Sequence, residues 1–177
     1  LVSFEGIDEV ELEDQRYAKE LGYSIKHIAL GELENNIACV SAYPTLVSKE
    51  TLLSKVGKEM NALEIFSEGV GSTLYYGPGA GPVPTASAVI ADIVDIARGL
   101  RISTFGRPVA ELEEVPSVPM ENHFGAYYIR LNVADKPGVI ADISAILRDG
   151  DISMESMLQH GHAKTSSGAV TVVITTH

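Results

Sequence analysis

Cysteine occurs once in 177 residues, at Cys39. No disulfide can form within the chain, which suits a reducing cytoplasm. Cys39 lies in an apolar strand pattern, where an inert, buried thiol is a commoner state than a nucleophile. Basic residues are also scarce. Thirteen Lys and Arg stand against 24 Asp and Glu, for a formal net charge of −11. With no basic run, the chain lacks the clustered cations that a nucleic-acid backbone or an anionic membrane surface demands. Long apolar runs are missing too, since Asp92 and Asp95 interrupt the longest one too early to span a bilayer. There is neither an initiator methionine nor a basic n-region, so Leu1 reads as the start of a fragment. What remains is globular in composition, 45% hydrophobic and 21% charged, and long enough for one or two small domains. The default expectation is a cytoplasmic protein acting on small molecules.

The densest local signal is Tyr75 to Leu100, YYGPGAGPVPTASAVIADIVDIARGL. Gly77, Gly79 and Gly81 alternate, Pro82 and Pro84 follow, and Thr85 is placed to cap a helix expected over Ala86–Leu100. Val89, Ile90, Ile93, Ile96, Ala97 and Leu100 form one helical stripe, and Gly99 is the stop signal. A glycine loop feeding a helix N-terminus is the general form of an anion or cofactor contact. Two familiar versions are absent. No lysine lies between Lys58 and Lys136, as a Walker loop would need, and Pro82 occupies the last glycine position of G-x-G-x-x-G. The same spacing equally suits a tight turn whose glycines only permit close helix–strand packing.

Around this stretch the pattern is α+β. Glu5 to Leu12 reads as a short extended piece, and Glu13-Asp14 opens a helix with Tyr17, Ala18 and Leu21 on its apolar face, closed by Gly22. Tyr23–Leu30 and Ile37–Tyr43 read as a hairpin across the polar turn Gly31–Asn36, with Pro44 ending the second strand. Lys49–Lys58 is a polar excursion, Ala62–Phe66 reads as another strand, and Glu68-Gly69 makes the turn before Gly71–Tyr76 leads into the glycine loop. Residues 101–125, with Pro108, Pro116 and Pro119 among glutamates, read as a linker between segments 1–100 and 126–177. The last segment runs β-α-β-β. A strand over Tyr127–Val133 leads through Asp135-Lys136-Pro137-Gly138 to a helix ended by Gly150. Then come alternating Ile152, Met154, Ser156 and Leu158, and a strand over Ala169–Thr176 with Val170, Val172 and Ile174 on one face.

Several of these motifs, in the same order, resemble the late part of homoserine dehydrogenase. They are Glu5-Gly6-Ile7, Ala18 to Gly22, Pro44-Thr45-Leu46-Val47, Asn61-Ala62, Gly77 to Gly81, Pro84 to Val89 and Asp92 to Ala97. Residues 126–177, through Asn132 to Val139, resemble the start of an ACT domain, a ferredoxin-like βαββαβ module that binds regulatory amino acids. The resemblance implies NAD(P)-dependent interconversion of L-homoserine and L-aspartate 4-semialdehyde. It implies a catalytic and dimerisation domain with a mixed, largely antiparallel sheet, followed by an ACT domain truncated before its second helix and fourth strand. In that family the Rossmann domain and the catalytic lysine lie upstream, so no catalytic residue and no metal ligand is assigned here. Gly81, with Gly79 and Ala80 beside it, is similar to the position against the nicotinamide. Asn132, Asp135, Lys136, Pro137, Gly138 and Val139 would hold an amino-acid effector, with threonine, the pathway end product, as the expected ligand. The same turn also makes a good strand-to-helix connection with Asp135 as its cap. The chain is expected to form a homodimer.

Two other readings stay open. One is a stand-alone amino-acid sensor with a dimerisation scaffold. The other is a purely structural association module built on the antiparallel strands of residues 23–76.

Overall fold

The computed structural model describes residues 3–103, 106–116, 118, 125–160 and 168–177. The fold is α+β, with antiparallel sheets and three α-helices. It groups into two compact units that do not follow chain order. One joins Leu1–Ser48 with Ser117–His177, and the other is Lys49–Pro116.

In the first unit, β1 (Ser3–Phe4), β2 (Tyr23–Glu34) and β3 (Ile37–Ser48) form a sheet in the order β1-β3-β2. The extended piece expected over Glu5–Leu12 shrinks to the two residues of β1. Val10 N–H bonds Ile7 O at 3.1 Å, and a turn then leads directly into helix α1 (Leu12–Glu20). Glu11 is the N-cap, and its backbone N–H donates to Asp14 Oδ2 at 2.8 Å, half of a capping box. Gly22, at φ 86°, stops the helix.

The β2–β3 hairpin is longer than expected. Asn35 and Asn36 alone make the turn, both in the left-handed region at φ 49° and 63°, as a two-residue hairpin loop requires. Pro44 does not end β3; it pairs with His27, and β3 runs on to Ser48. Ala42 O accepts from Glu5 N–H on the β1 side, and the two-residue pleat puts the Pro44 nitrogen on that side too, past the end of β1. The missing N–H therefore removes no β2–β3 bond.

The C-terminal part contributes β6 (Tyr128–Ala134), α3 (Val139–Asp149), β7 (Met154–Gln159) and β8 (Ala169–Thr176). The sheet order is β6-β8-β7, with β8 antiparallel to both neighbours. Leu147, Val172 and Ile174 form a core that Ile129, Leu131, Val133, Ile140, Ile143 and Met157 complete. Val172 is 0% exposed.

Gly150 follows the last residue of α3 as its C-cap, as expected; the left-handed residue is the next one, Asp151 (φ 55°), and the N–H groups of Asp151 and Ile152 bond Arg148 O and Leu147 O at 3.0 and 2.9 Å. One local expectation changes. In β7 a register shift inserts Glu155 between Met154 and Ser156. The bulge breaks the expected alternation, so Met157, opposite Ile174, reaches the core. The loop expected from Gln159 to Gly168 lies largely outside the described residues.

In the second unit, β4 (Met60–Ser67) and β5 (Gly71–Pro78) form a two-stranded hairpin, followed by helix α2 (Pro82–Ala97). Gly77 belongs to β5, so the loop is shorter than its glycines suggest. α2 begins at Pro82 rather than Ala86, with Gly81 as N-cap, and Thr85 sits inside the helix instead of capping it. Proline at the first helical position has its φ preset and no N–H to satisfy, which favours the earlier start. Gly99 (φ 75°) stops the helix as expected, with Leu100 N–H on Asp95 O and Gly99 N–H on Ile96 O, both 3.0 Å. No residue of α2 is buried; its stripe of Val89, Ile90, Ile93 and Ile96 is open.

Candidate functional site

In the glycine loop, Gly79 and Ala80 both turn their N–H groups onto Glu59 O, at 2.9 and 3.3 Å. This ties the loop to the start of β4. A Cβ at Gly79 would overlap the Asn61 side chain. Gly81 sits at φ 113°, ψ 159°, a region essentially closed to other residues. The loop is exposed.

The helix behind it is a poor anion cradle. Of its first three residues, Pro82 and Pro84 have no N–H, and the Thr85 N–H already bonds Gly81 O at 3.2 Å. Only Val83 is left to offer a donor from that turn. An exposed, glycine-lined, donor-poor loop suits the face of a flat ring better than a phosphate.

The second candidate site follows β6. Asp135 N–H bonds Gly168 O at 3.1 Å and Lys136 N–H bonds Ala134 O at 2.9 Å, so the turn is fixed to the end of β8 and to β6. Gly138 (φ 97°) is the N-cap of α3, and no side chain caps that end. Here no proline follows: Val139, Ile140 and Ala141 all carry N–H groups at a helix N-terminus, the arrangement a carboxylate uses. Asn132 lies on the sheet face opposite α3, and its Oδ1 accepts from Thr171 Oγ1 at 3.2 Å. The structure thus places Asp135 to Val139 together at the turn and sets Asn132 apart on the sheet.

A third constellation has no counterpart in the sequence reading. Tyr128 and Arg130 point from the outer face of the C-terminal sheet onto α1. Asp14, 5% exposed, accepts from the Tyr128 hydroxyl at 2.7 Å and pairs with Arg130 Nε at 2.8 Å, while also taking the Glu11 N–H. Arg130 also reaches Glu11 Oε2 at 2.7 Å and Glu13 Oε2 at 3.8 Å. Burial, and then the bond to Asp14, push the Tyr128 phenol well above its ordinary pKa. The bond to Glu11 heads the causes that raise Arg130. An adjoining cavity of about 330 Å³ is lined by Glu5, Glu9, Thr45 and these three residues. The only sequence hint is an arginine on the outward side of a half-buried strand.

Similarity to known proteins decides the family. The profile of the homoserine dehydrogenase family matches residues 1–94. The chain belongs to the homoserine dehydrogenase family. The family comprises NAD(P)-dependent oxidoreductases of amino-acid biosynthesis. The chain is 42% identical over 158 residues to homoserine dehydrogenase of Helicobacter pylori, covering 89% of itself and 37% of that protein. With the Pseudomonas aeruginosa enzyme it shares 37% identity over 179 residues, covering 98% of itself and 41% of that protein. A crystal structure of a homoserine dehydrogenase from Thiobacillus denitrificans matches 99% of this chain, with TM-score 0.80 and 38% identity, across 40% of its own length. A homoserine dehydrogenase structure from S. aureus matches 96% of the chain with TM-score 0.57 and 29% identity. The chain therefore spans about 40% of the length of the family members it matches.

Proposed function

We propose that the chain is the late catalytic and regulatory portion of a homoserine dehydrogenase that interconverts L-homoserine and L-aspartate 4-semialdehyde with NAD(P). In this reading the Gly79–Gly81 loop forms one wall against the nicotinamide, and the other wall belongs to the Rossmann part of the whole enzyme. The single observation that carries it is the loop itself, fixed on Glu59 O, open, and able to approach a ring through Gly81 without a Cβ. Hydride transfer needs donor and acceptor carbons held close, so a wall of glycine backbone is useful there.

The test is Ala80→Leu in the full-length enzyme. Ala80 is exposed and its backbone is not in the left-handed region, so the change adds bulk without strain. We expect kcat/KM for NAD(P) to fall about tenfold or more, the loss that a small misplacement of reacting groups brings. Unchanged cofactor kinetics would remove the loop from the site.

Residues 126–177 act in this proposal as an ACT-type module that binds threonine for feedback control, the carboxylate lying on the N–H groups of Val139–Ala141 behind the Asp135–Gly138 turn. The strand order β6-β8-β7, with a helix between β6 and β7, is that of a ferredoxin-like sheet without its fourth strand, and supports this reading. Calorimetry should give saturable threonine binding that Asp135→Ala or Gly138→Val weakens; no binding up to millimolar threonine would count against it. A second reading, a stand-alone amino-acid sensor, is favoured by one fact: the described hydrophobic core cluster lies entirely within residues 129–174. Either way the chain is proposed to work as a homodimer, which the molar mass from light scattering tests.

A further inference from the structure

We propose that Tyr128 and Arg130, closing on Asp14, form the joint that carries effector occupancy at the Asp135–Gly138 turn to α1 and so to the β2–β3 hairpin. The inference rests on the effector reading above and names the residues that would transmit it.

The two faces of β6 have different tasks. Ile129, Leu131 and Val133 face the α3 core, while Tyr128, Arg130 and Asn132 face the other way. A three-stranded sheet with one helix would be expected to leave that outer face open. Instead α1 meets it through Tyr128 and Arg130 and, just past β7, His160, and Val173 on β8, paired with Arg130, is 1% exposed.

α1 is an odd covering element. Its sequence, LEDQRYAKE, supplies only Tyr17 and Ala18 as buried apolar groups. Apolar contact alone would leave its position along the sheet loosely defined. The position is fixed by polar geometry. One nearly buried carboxylate, Asp14, held by the Glu11 N–H of its own helix, accepts from a phenol and pairs with a guanidinium of β6, and sliding the helix by one residue would break both contacts to the sheet. Buried ion pairs often contribute little net stability, and their best-attested role is to specify one register.

The far end is held more loosely. His160, just past β7, meets Glu20 Oε2 at 2.7 Å and stacks on Tyr17 with ring centroids 5.4 Å apart. Both members of the His160–Glu20 pair are about half exposed, so this contact is worth little. The strong contact sits on β6, the strand that ends in the effector turn. A shift of the turn therefore moves Tyr128 and Arg130 along with their strand. Asp14 follows them, and α1 continues through Gly22 into β2. The contacts form an unbroken physical chain from the turn to the hairpin, with one discrete arrangement to make or break.

The test uses the full-length enzyme, L-threonine as the probe, and the variants Tyr128→Phe, Arg130→Lys and Asp14→Asn. Binding is measured by calorimetry, inhibition by turnover, and the response of α1 by hydrogen exchange with and without threonine. We expect each variant to bind threonine within about threefold of wild type and to keep its uninhibited kcat. We also expect threonine to lose at least about fivefold of its effect on turnover, the range of one coupling energy. In wild type, threonine should change exchange across residues 12–20; in the variants it should not, a difference that a merely structural role would not produce. If Asp14→Asn does not fold, Tyr128→Phe, which removes a single hydroxyl, decides the matter. Variants that bind threonine and are inhibited like wild type overturn the joint while leaving the effector site standing. A wild-type enzyme that binds no threonine overturns both.

Discussion

Tyr128 holds its proton more tightly in the fold than out of it. Burial first, and then the Asp14 carboxylate, raise its pKa above the ordinary value of 10.0. As pH climbs past 10, the unfolded chain releases this proton while the folded chain keeps it, so the unfolded state gains. Stability from this group is therefore intact below about pH 10 and is lost as pH rises towards the folded pKa. Urea midpoints should be steady from pH 7 to 9 and fall above 10, and Tyr128→Phe should flatten that fall. A residual slope will remain, because burial and the nearby Glu13 and Glu20 carboxylates raise Tyr17 as well. At pH 7 the same variant should cost about 1.5–3 kcal/mol, the range for a hydrogen bond to a charged group. An alkaline slope identical in the variant would contradict the assignment. None of this is legible in the sequence. Glu13-Asp14 signals a helix start and nothing more, and Asp14 lies 114 positions from the phenol it binds. Gly81 is the opposite case: its glycine marks a backbone that only glycine adopts, and the structure has that backbone.

At the scale of elements, α3 ends on a strained residue. Asp151 adopts φ 55° at the position where glycine costs nothing, while Gly150 spends its freedom at an ordinary φ of −86°. Asp151→Gly should stabilise the chain by about 0.5–1 kcal/mol. That would appear as a higher midpoint in thermal or urea unfolding with an unchanged urea slope; a lower midpoint would show that the Asp151 side chain matters more than its backbone. Patterns legible in one dimension gave correct elements here. The periodicities of α1, α3 and β8 and the Gly22 and Gly99 stops all lie within a few residues of what they control. The errors came from effects that require neighbours. Whether Pro44 ends a strand depends on which side its nitrogen faces, and that depends on where β1 stops. The β7 alternation fails because Glu155 is an extra residue relative to β8, a relation between two strands that neither one carries alone.

On the scale of the whole molecule, burial is unevenly shared. β8 is buried from Val172 to Thr176, whereas among the described residues 49–116 only Ser54 is buried. A two-stranded hairpin and a helix without a covered face have little to hold them closed. In the 177-residue chain, amides of β4, β5 and α2 should exchange with solvent at least about a hundredfold faster than those of β8 at pH 7, a gap of about 2.7 kcal/mol in opening free energy. Equal protection across both units would mean that the open stripe of α2 is covered in solution. The compositional signals of the sequence describe the chain as a whole and cannot show this asymmetry, because 45% hydrophobic content is the same number whether its apolar groups face a core or solvent.

The placement of α1 also sets where this protein can be cut. Chain order invites a splice in the proline-containing stretch before β6, as if the C-terminal sheet were a detachable cartridge. Transplanting that sheet into another scaffold would strip Arg130 of its three carboxylates and the Tyr128 hydroxyl of its acceptor. A graft that keeps the recipient's own helix must therefore supply an acidic residue at the position of Asp14, or carry residues 11–20 along as part of the insert.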